Sequence, residues 1–184
     1  MSTRATNFAP SRWALAGLTA ALVLAASAGV RADDDTSKVT TSVTPQGEVV
    51  AQLKVAAKPA AVRAILASAE KSHGLAPTTY EAKASPDGSC ERVKLKVRGL
   101  FAPFEIETRR CPTTHGWKET LVASASFTEY WNEWTIQETE SGSTVTFKTR
   151  TIPNVVVPEA ILLSETRRVV AKLMRNLSAA VIPG

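Results

Sequence analysis

The sequence has 184 residues, of which 44% are hydrophobic and 21% charged, and its formal net charge is +5. Three arginines, Arg4, Arg12 and Arg31, lie in the first 32 residues, which contain no acidic residue. Without them, the 22 Lys and Arg residues become 19, against 17 Asp and Glu residues. This balance does not favour nucleic-acid binding. The remaining length of about 150 residues suits one domain with one hydrophobic core.

The first 32 residues have the pattern of an export signal. A short basic region precedes an apolar run from Trp13 to Val30 that is rich in Ala and Leu. Cleavage after Ala32 and cleavage after Ala28 both satisfy the preference for small residues at the cut, and an uncleaved membrane anchor is a third alternative. We therefore expect a periplasmic or secreted protein, in a compartment where disulfides persist.

The region around the two cysteines predicts a hairpin that turns at residues 99–102. One register puts apolar residues on one face, lysines opposite glutamates on the other, and Cys90 opposite Cys111. The predicted pairs are Val93–Thr108, Leu95–Ile106, Val97–Phe104, Lys94–Glu107 and Lys96–Glu105. A slip of one residue would mix the faces and separate the sulfurs. Alternation and cysteine spacing therefore both predict a Cys90–Cys111 disulfide.

The other segments predict further strands and helices. Residues 33–46 are expected to be a flexible segment or an edge strand, and residues 48–55 alternate as a half-buried strand. Pro59 opens a short helical pattern that His73-Gly74 ends. Strands are predicted at 78–84 and 117–127, followed by a hairpin of residues 130–138 and 145–151 that turns at 141–142.

Pro158 opens the longest helical pattern of the chain. Its apolar stripe consists of Leu162, Val169, Val170, Leu173, Leu177 and Val181. Such a stripe must be buried against another element, and the apolar face of the strands is available for it. The sequence therefore predicts an α+β fold with six to seven antiparallel strands in a curved sheet that wraps around the C-terminal helix.

The order of these elements resembles the helix-grip superfamily of START lipid-transfer domains, birch-pollen-allergen-type proteins and polyketide cyclases (SRPBCC). The segment Val55-Ala56-Ala57-Lys58-Pro59-Ala60-Ala61-Val62 resembles the strand-to-helix corner of that superfamily. The resemblance covers most of residues 47–181, and we take 47–184 as the domain. It implies a cavity between the sheet and the long helix that holds an apolar or amphipathic small molecule.

No catalytic constellation is visible in the sequence, and we predict neither a metal nor a cofactor. His73 and His115 each precede a glycine and are interpreted as solvent-facing turn residues. Neither has a partner at a spacing typical of zinc ligands. Glu105 and Glu107 are interpreted as members of surface ion pairs.

Several inward-facing positions form a candidate ligand pocket. They combine large aromatic side chains, a few polar groups and an unusually small strand centre at residues 123–126. The candidate residues are Tyr80, Leu95, Phe104, Ile106, Ala123, Ala125, Tyr130, Asn132, Trp134, Phe147, Thr149, Leu162, Val169 and Leu173. Core packing is the alternative interpretation of each one.

Three functions are compatible with these patterns. The first is an exported carrier of a hydrophobic small molecule, such as a lipid, a quinone or a polyketide-like compound. The second is a module with a filled core that binds an acidic partner or an anionic membrane surface, with transient membrane contact through the outward-facing Trp131. The third is a cyclase or hydratase, which would need an inward ionisable group with a shifted pKa. We expect a monomer.

Overall fold

The computed structural model describes residues 38–99 and 103–181. They form eight antiparallel strands in one sheet and three helices. The strands are β1 (Val39–Val43), β2 (Val49–Val55), β3 (Thr79–Asp87), β4 (Cys90–Arg98), β5 (Pro103–Thr113), β6 (Gly116–Ser124), β7 (Phe127–Thr139) and β8 (Gly142–Pro153). Their order across the sheet is β1-β2-β8-β7-β6-β5-β4-β3. The predicted α+β architecture is confirmed, with eight strands rather than six to seven.

The helices are α1 (Pro59–Leu66), α2 (Ala69–Gly74) and α3 (Glu159–Val181). Pro59 lies in the first turn of α1, where the missing backbone N–H costs no helical hydrogen bond. Ser68 precedes α2, and its side chain accepts a hydrogen bond from the Lys71 backbone N–H. None of the helices in the described ranges is long and apolar enough to cross a membrane.

The β4–β5 hairpin has the predicted register, from Glu91 opposite Arg110 to Arg98 opposite Pro103. Cys90 and Cys111 form the predicted disulfide, with Cα atoms 4.3 Å apart. The one unfavourable pair in this register, Arg92 opposite Arg109, is compensated from β3. Asp87 Oδ2 lies 2.9 Å from Arg109 Nε and 3.7 Å from Arg92 Nη2, so one carboxylate serves both cations.

The predicted turn at residues 141–142 puts Trp134 opposite Thr149 and Ile136 opposite Phe147. The β7–β8 hairpin differs from that register by two residues. Trp134 lies opposite Phe147 and Ile136 opposite Val145, because the chain turns at residues 140–141 instead of 141–142. A shift of two residues keeps every side chain on its face, since side chains alternate with period two. The inward assignment of the residues on both strands is therefore unaffected.

Two irregularities overturn other predicted placements. A bulge between Thr79 and Glu81 takes Tyr80 out of the alternation, and Tyr80 is 51% exposed instead of facing inward. A second irregularity changes the register of β6 against β5, so that Ala123 lies opposite Glu107 on the outer face. Ala123 and Ala125 are both exposed and leave no space inside the sheet.

The inner face of the sheet carries two hydrophobic clusters. We call the larger one the first core; it lies between β2, β7, β8, α1 and α3. Its buried members are Val49, Ala51, Leu53, Val55, Val62, Leu66, Trp134, Ile136, Val145, Phe147, Val170, Leu173, Met174, Leu177 and Val181. Most of the predicted stripe of α3 is thus buried, although Leu162 and Val169 are only half-buried.

The smaller cluster, the second core, lies on β3 to β7 beside α2. Its fully buried members are Ala69, Val93, Leu95 and Ile106. A larger number of its residues are only half-buried, namely Ala82, Ala84, Val97, Phe104, Leu121, Phe127 and Tyr130. The helix α3 packs against β1 and β2, on the side of the first core. The two parts of the inner face are therefore covered to different extents.

Candidate functional site: a groove and a buried polar row

A groove of about 340 Å³ opens where the end of β8 meets the start of α3. The turn between β1 and β2 forms one wall, the residues from Val155 to Val157 form the lip, and α3 closes the other side. The lining residues are Gln46, Gly47, Val49, Thr149, Arg150, Thr151, Ile152, Pro153, Val155, Val156, Val157, Glu159, Leu162, Leu163 and Thr166. The wall is therefore mainly apolar, and its polar members are Gln46, Arg150, Glu159 and three threonines.

The lip of the groove exposes apolar side chains to solvent. Val155 is 62% exposed and Val156 is fully exposed, and Ile152 beside them is 37% exposed. Exposed apolar side chains that adjoin a concavity are typical of ligand-binding and interaction sites. The sequence pattern does not predict this lip, because residues 153–158 have only the features of a connection between two prolines.

A line of polar residues crosses the inner face of the sheet, and we call it the polar row. Each of its residues lies directly opposite the next one on the neighbouring strand, from β4 to β8. In this order they are Glu91, Arg110, Glu119, Asn132 and Thr149. The last four are at least 95% buried. Since Thr149 also lines the groove, the row begins at the groove and continues beneath α1 and α2.

Glu119 is the centre of this row and is 2% exposed. Its carboxylate accepts hydrogen bonds from Thr108 Oγ1 and from Asn132 Nδ2, the latter at 3.2 Å. His73 Nε2 from α2 lies 3.1 and 2.9 Å from its two oxygens. Burial alone would raise the pKa of Glu119, but His73 and the two hydrogen-bond donors lower it below the ordinary value of 4.5. Glu119 is therefore a buried anion at neutral pH.

Arg110 connects the row to the helices above it. Its Nη1 donates to the Ala67 carbonyl at 3.2 Å and its Nη2 donates to the Leu66 carbonyl, at the end of α1. Nη1 also lies 3.0 Å from Glu91 Oε2, and the guanidinium stands 4.8 Å from the centre of the Trp117 ring. Burial lowers the pKa of Arg110, against the opposing effect of Glu91 and Glu119. Arg110 thus caps a helix, and its contacts are those of a structural residue.

Asn132 and Tyr130 extend the network towards the open part of the inner face. Asn132 Nδ2 donates to the Tyr130 hydroxyl at 3.0 Å as well as to Glu119. Tyr130 is half-buried and begins an aromatic series with Phe127 and Phe104, whose ring centres are 6.4 and 4.8 Å apart in turn. The polar network therefore ends at a phenol that borders apolar rings.

The structure distributes the fourteen predicted pocket residues over several places. Thr149 and Leu162 line the groove, and Asn132 belongs to the polar row. Trp134, Phe147 and Leu173 are buried in the first core, and Leu95, Ile106, Phe104 and Tyr130 belong to the second core. Val169 is half-buried on α3, whereas Tyr80, Ala123 and Ala125 are exposed, contrary to their predicted inward orientation. The predicted set thus contains parts of the groove, the polar row and both cores.

The residues that sequence analysis missed are His73, Arg110 and Glu119. The prediction of a solvent-facing His73 is wrong, since its side chain is buried against Glu119, while His115 is exposed as expected. A signal for the other two was present. The predicted hairpin register already puts Arg110 on the apolar face. Glu119 lies on the same face of its strand as Trp117 and Leu121, since it is two residues from each.

No family model matches the chain, and comparison with curated proteins finds no match. Solved structures do match. A START superfamily protein from Mycobacterium smegmatis has a TM-score of 0.64 at 15% identity, over 73% of this chain and 96% of that one. Human StAR-related lipid transfer protein 5 has a TM-score of 0.61 at 12% identity, over 82% and 88% of the two chains.

A third match is an aromatase/cyclase from Streptomyces, with a TM-score of 0.56 at 13% identity, over 78% of this chain and 92% of that one. Identities of this size show a common fold only. Together with the antiparallel sheet and the long C-terminal helix, they establish that the chain has the START-like helix-grip fold.

Proposed function

We propose that this protein binds a hydrophobic small molecule in the groove between β8 and α3. The observation that carries the proposal is a concavity of about 340 Å³ with a mainly apolar wall and exposed valines at its lip. Its volume lies within the range of ligand pockets, roughly 300–1,000 Å³. Apolar surface left in water at such a place is stabilised when a ligand covers it.

The fold supports the same proposal at a general level. Proteins named for lipid transfer and for aromatase/cyclase activity share this architecture with the chain. Within that range of ligands, the largely apolar wall favours a lipid, a quinone or a polyketide-like compound. We propose a carrier role, in which the molecule is held and released unchanged.

We also propose that the carrier works outside the cytosol. The disulfide between Cys90 and Cys111 suits an oxidising compartment. The expected export signal, residues 1–32, lies outside the described residues. We propose that residues 33–46 join this signal to the domain of residues 47–184. The N-terminal residue of the secreted protein, determined by mass spectrometry, would be Asp33 or Gly29 for the two cleavage sites.

An enzyme of the cyclase or hydratase kind is the second candidate. It is favoured by one observation, the buried ionised Glu119 bonded to His73, which the polar row connects through Asn132 to Thr149 of the groove wall. A catalytic carboxylate must reach its substrate, however, and Glu119 is 2% exposed with both oxygens engaged. Ligand binding accounts for the groove without requiring Glu119 to move.

A fluorescent neutral probe such as Nile red tests the proposed groove. Leu162→Asp puts a carboxylate on the groove wall and should abolish saturable probe binding, because a charge in an apolar site is strongly disfavoured. Ile161→Asp is the matched control. Ile161 immediately precedes Leu162 in α3, is 52% exposed and does not line the groove. The control variant should bind the probe as the wild type does.

Native mass spectrometry of protein purified from its own host provides the second measurement. A co-purifying apolar mass in the wild type that is lost from Leu162→Asp would support a carrier. Equal Nile red binding by Leu162→Asp and Ile161→Asp would contradict the groove as the binding site. Absence of any bound probe or co-purifying mass would favour a module with a filled core.

A further inference from the structure

The hydroxyl of Tyr130 has a hydrogen-bonding capacity that the described residues do not use. It accepts a hydrogen bond from Asn132 Nδ2 at 3.0 Å. A phenol can accept and donate at the same time. In residues 38–99 and 103–181, no side chain or carbonyl accepts the proton of this hydroxyl. The proton is therefore available to another molecule.

The orientation of Asn132 is fixed by its other partner. An ionised carboxylate only accepts hydrogen bonds, so the atom of Asn132 that faces Glu119 must be the amide nitrogen. Its two N–H groups are then used by Glu119 and Tyr130. The amide oxygen Oδ1 receives no hydrogen bond from the part of the chain that the structure describes. One donor and one acceptor thus remain side by side.

Neither residue lines the groove, but both lie on β7, the strand that pairs with the groove strand β8. Strand pairing puts Tyr130 directly opposite Thr151 and Asn132 directly opposite Thr149. Thr149 and Thr151 line the groove. Directly opposed residues on one face of an antiparallel pair have Cβ atoms about 4.5–5.5 Å apart. A molecule that enters the groove as far as these threonines is therefore within reach of Tyr130 and Asn132.

We propose that Tyr130 and Asn132 recognise a neutral oxygen at the inner end of the bound hydrophobic molecule. The ligand is then a ketone, an ester or an alcohol, in preference to a plain hydrocarbon or a fatty-acid carboxylate. This inference rests on the proposed function, because it concerns the inner end of the same groove. It assigns Tyr130 as the donor to the ligand oxygen and Asn132 Oδ1 as the acceptor for an alcohol proton.

The charge of Glu119 gives the preference for a neutral group. Burial and the negative charge of Glu119 raise the pKa of Tyr130 well above its ordinary value of 10.0, against a smaller opposing effect of Asn132. Tyr130 therefore stays protonated and can donate. A ligand carboxylate at this place would meet the like charge of Glu119 across Asn132 in a poorly solvated site, which disfavours its ionised form.

Three probes with the same carbon chain separate these possibilities: 2-undecanone, undecane and undecanoate. Their affinities at pH 7 are measured by displacement of Nile red from the wild-type protein. We expect 2-undecanone to bind about tenfold more tightly than the other two, the size of one well-placed hydrogen bond. Tyr130→Phe should reduce that advantage to about twofold or less while leaving the affinity for undecane unchanged.

Tyr80→Phe is the matched control. These are the two tyrosines of the chain, and Tyr80→Phe removes the same hydroxyl from an exposed position. It should keep the full preference for the ketone. In Glu119→Gln, checked for a cooperative thermal transition, undecanoate should gain affinity relative to 2-undecanone because the buried charge is gone.

The outcomes distinguish this inference from the function it rests on. If none of the probes displaces Nile red, or Nile red itself does not bind, the proposed groove fails and the inference fails with it. If all three probes bind with equal affinity, or if Tyr130→Phe and Tyr80→Phe show the same ketone preference, the groove stands and recognition by Tyr130 is overturned.

Discussion

The two parts of the inner face are stabilised in different ways. In the first core, α3 covers β2 and its neighbours with aliphatic and aromatic side chains that exclude water. In the second core, four of the described residues are fully buried, and beside them Glu119, His73, Thr108 and Asn132 form a hydrogen-bonded network. An apolar core tolerates substitutions that conserve its volume. A buried polar network is stable only when each member keeps its hydrogen-bond partners. We therefore expect the first core to determine stability and the second to determine selectivity.

The largest effect should come from a charge placed in the first core. Leu173 is 6% exposed on α3, and Leu173→Asp loses its packing and buries a carboxylate that has no partner. The loss should exceed about 4 kcal/mol, a large part of the stability of a typical domain. Lys172→Asp, at the exposed neighbouring position, should change the melting temperature little. Equal melting temperatures of the two variants would contradict the assigned face of α3.

An intermediate effect should follow from reducing the disulfide, which joins β4 and β5, two strands of the second core. Reduction of Cys90–Cys111 releases a loop with a sequence separation of 21 and should cost about 3 kcal/mol in the chain-entropy description. The first core remains intact, so the reduced protein should still unfold cooperatively at a lower temperature. Two alkylatable thiols in the non-reduced exported protein would contradict the disulfide itself.

The smallest effect concerns the titration of Glu119. Its pKa is lowered in the folded protein, so the unfolded chain binds more protons as the pH falls below the ordinary value of 4.5. The stability that Glu119 contributes is present above that value and is lost as the pH falls through its folded pKa. Denaturant unfolding of the wild type and Glu119→Gln should therefore differ by about 1–2 kcal/mol at pH 7 and converge in acid.

Other carboxylates contribute to the same acid transition and remain in both proteins. Hydrogen bonds from Lys83 and Lys96 lower the pKa of the partly exposed Glu81 to about 2. Because Glu81 is unchanged in Glu119→Gln, the difference between the two stability curves removes its contribution and reports on Glu119 together with its partner His73. A difference that stays constant from pH 7 to pH 3 would mean that folding does not lower the pKa of Glu119.

The register of strand pairing was predicted correctly where two independent sequence patterns agreed. The β4–β5 register follows from both the cysteine spacing and the charge alternation, and each residue from Glu91 to Arg98 has its predicted partner. Where only one pattern was available, the register of β7–β8 was wrong by two residues. The faces were still right, because an even shift preserves alternation. The helix-grip order of elements could therefore be predicted from the sequence alone.

The candidate site could be predicted only in part. Inward strand parity selected Thr149, Asn132 and Tyr130, and this parity holds in regular strands. Leu162 was selected by its place on the apolar stripe of α3. It failed at Tyr80 and Ala123 because bulges change parity without a local sequence signal. His73 was missed for another reason: its partner Glu119 is 46 residues away in the sequence, and spacing rules do not extend so far.

The bulge that exposes Tyr80 also affects how this protein behaves at high concentration. It lies on β3, which ends the described sheet, and an edge strand can pair with a second molecule. The bulge interrupts the regular ladder at one end of β3, Pro86 removes a donor near the other, and the exposed Lys83 adds a charge between them. An incoming strand would find no long uninterrupted row of donors and acceptors. This edge is therefore protected against growth into larger aggregates.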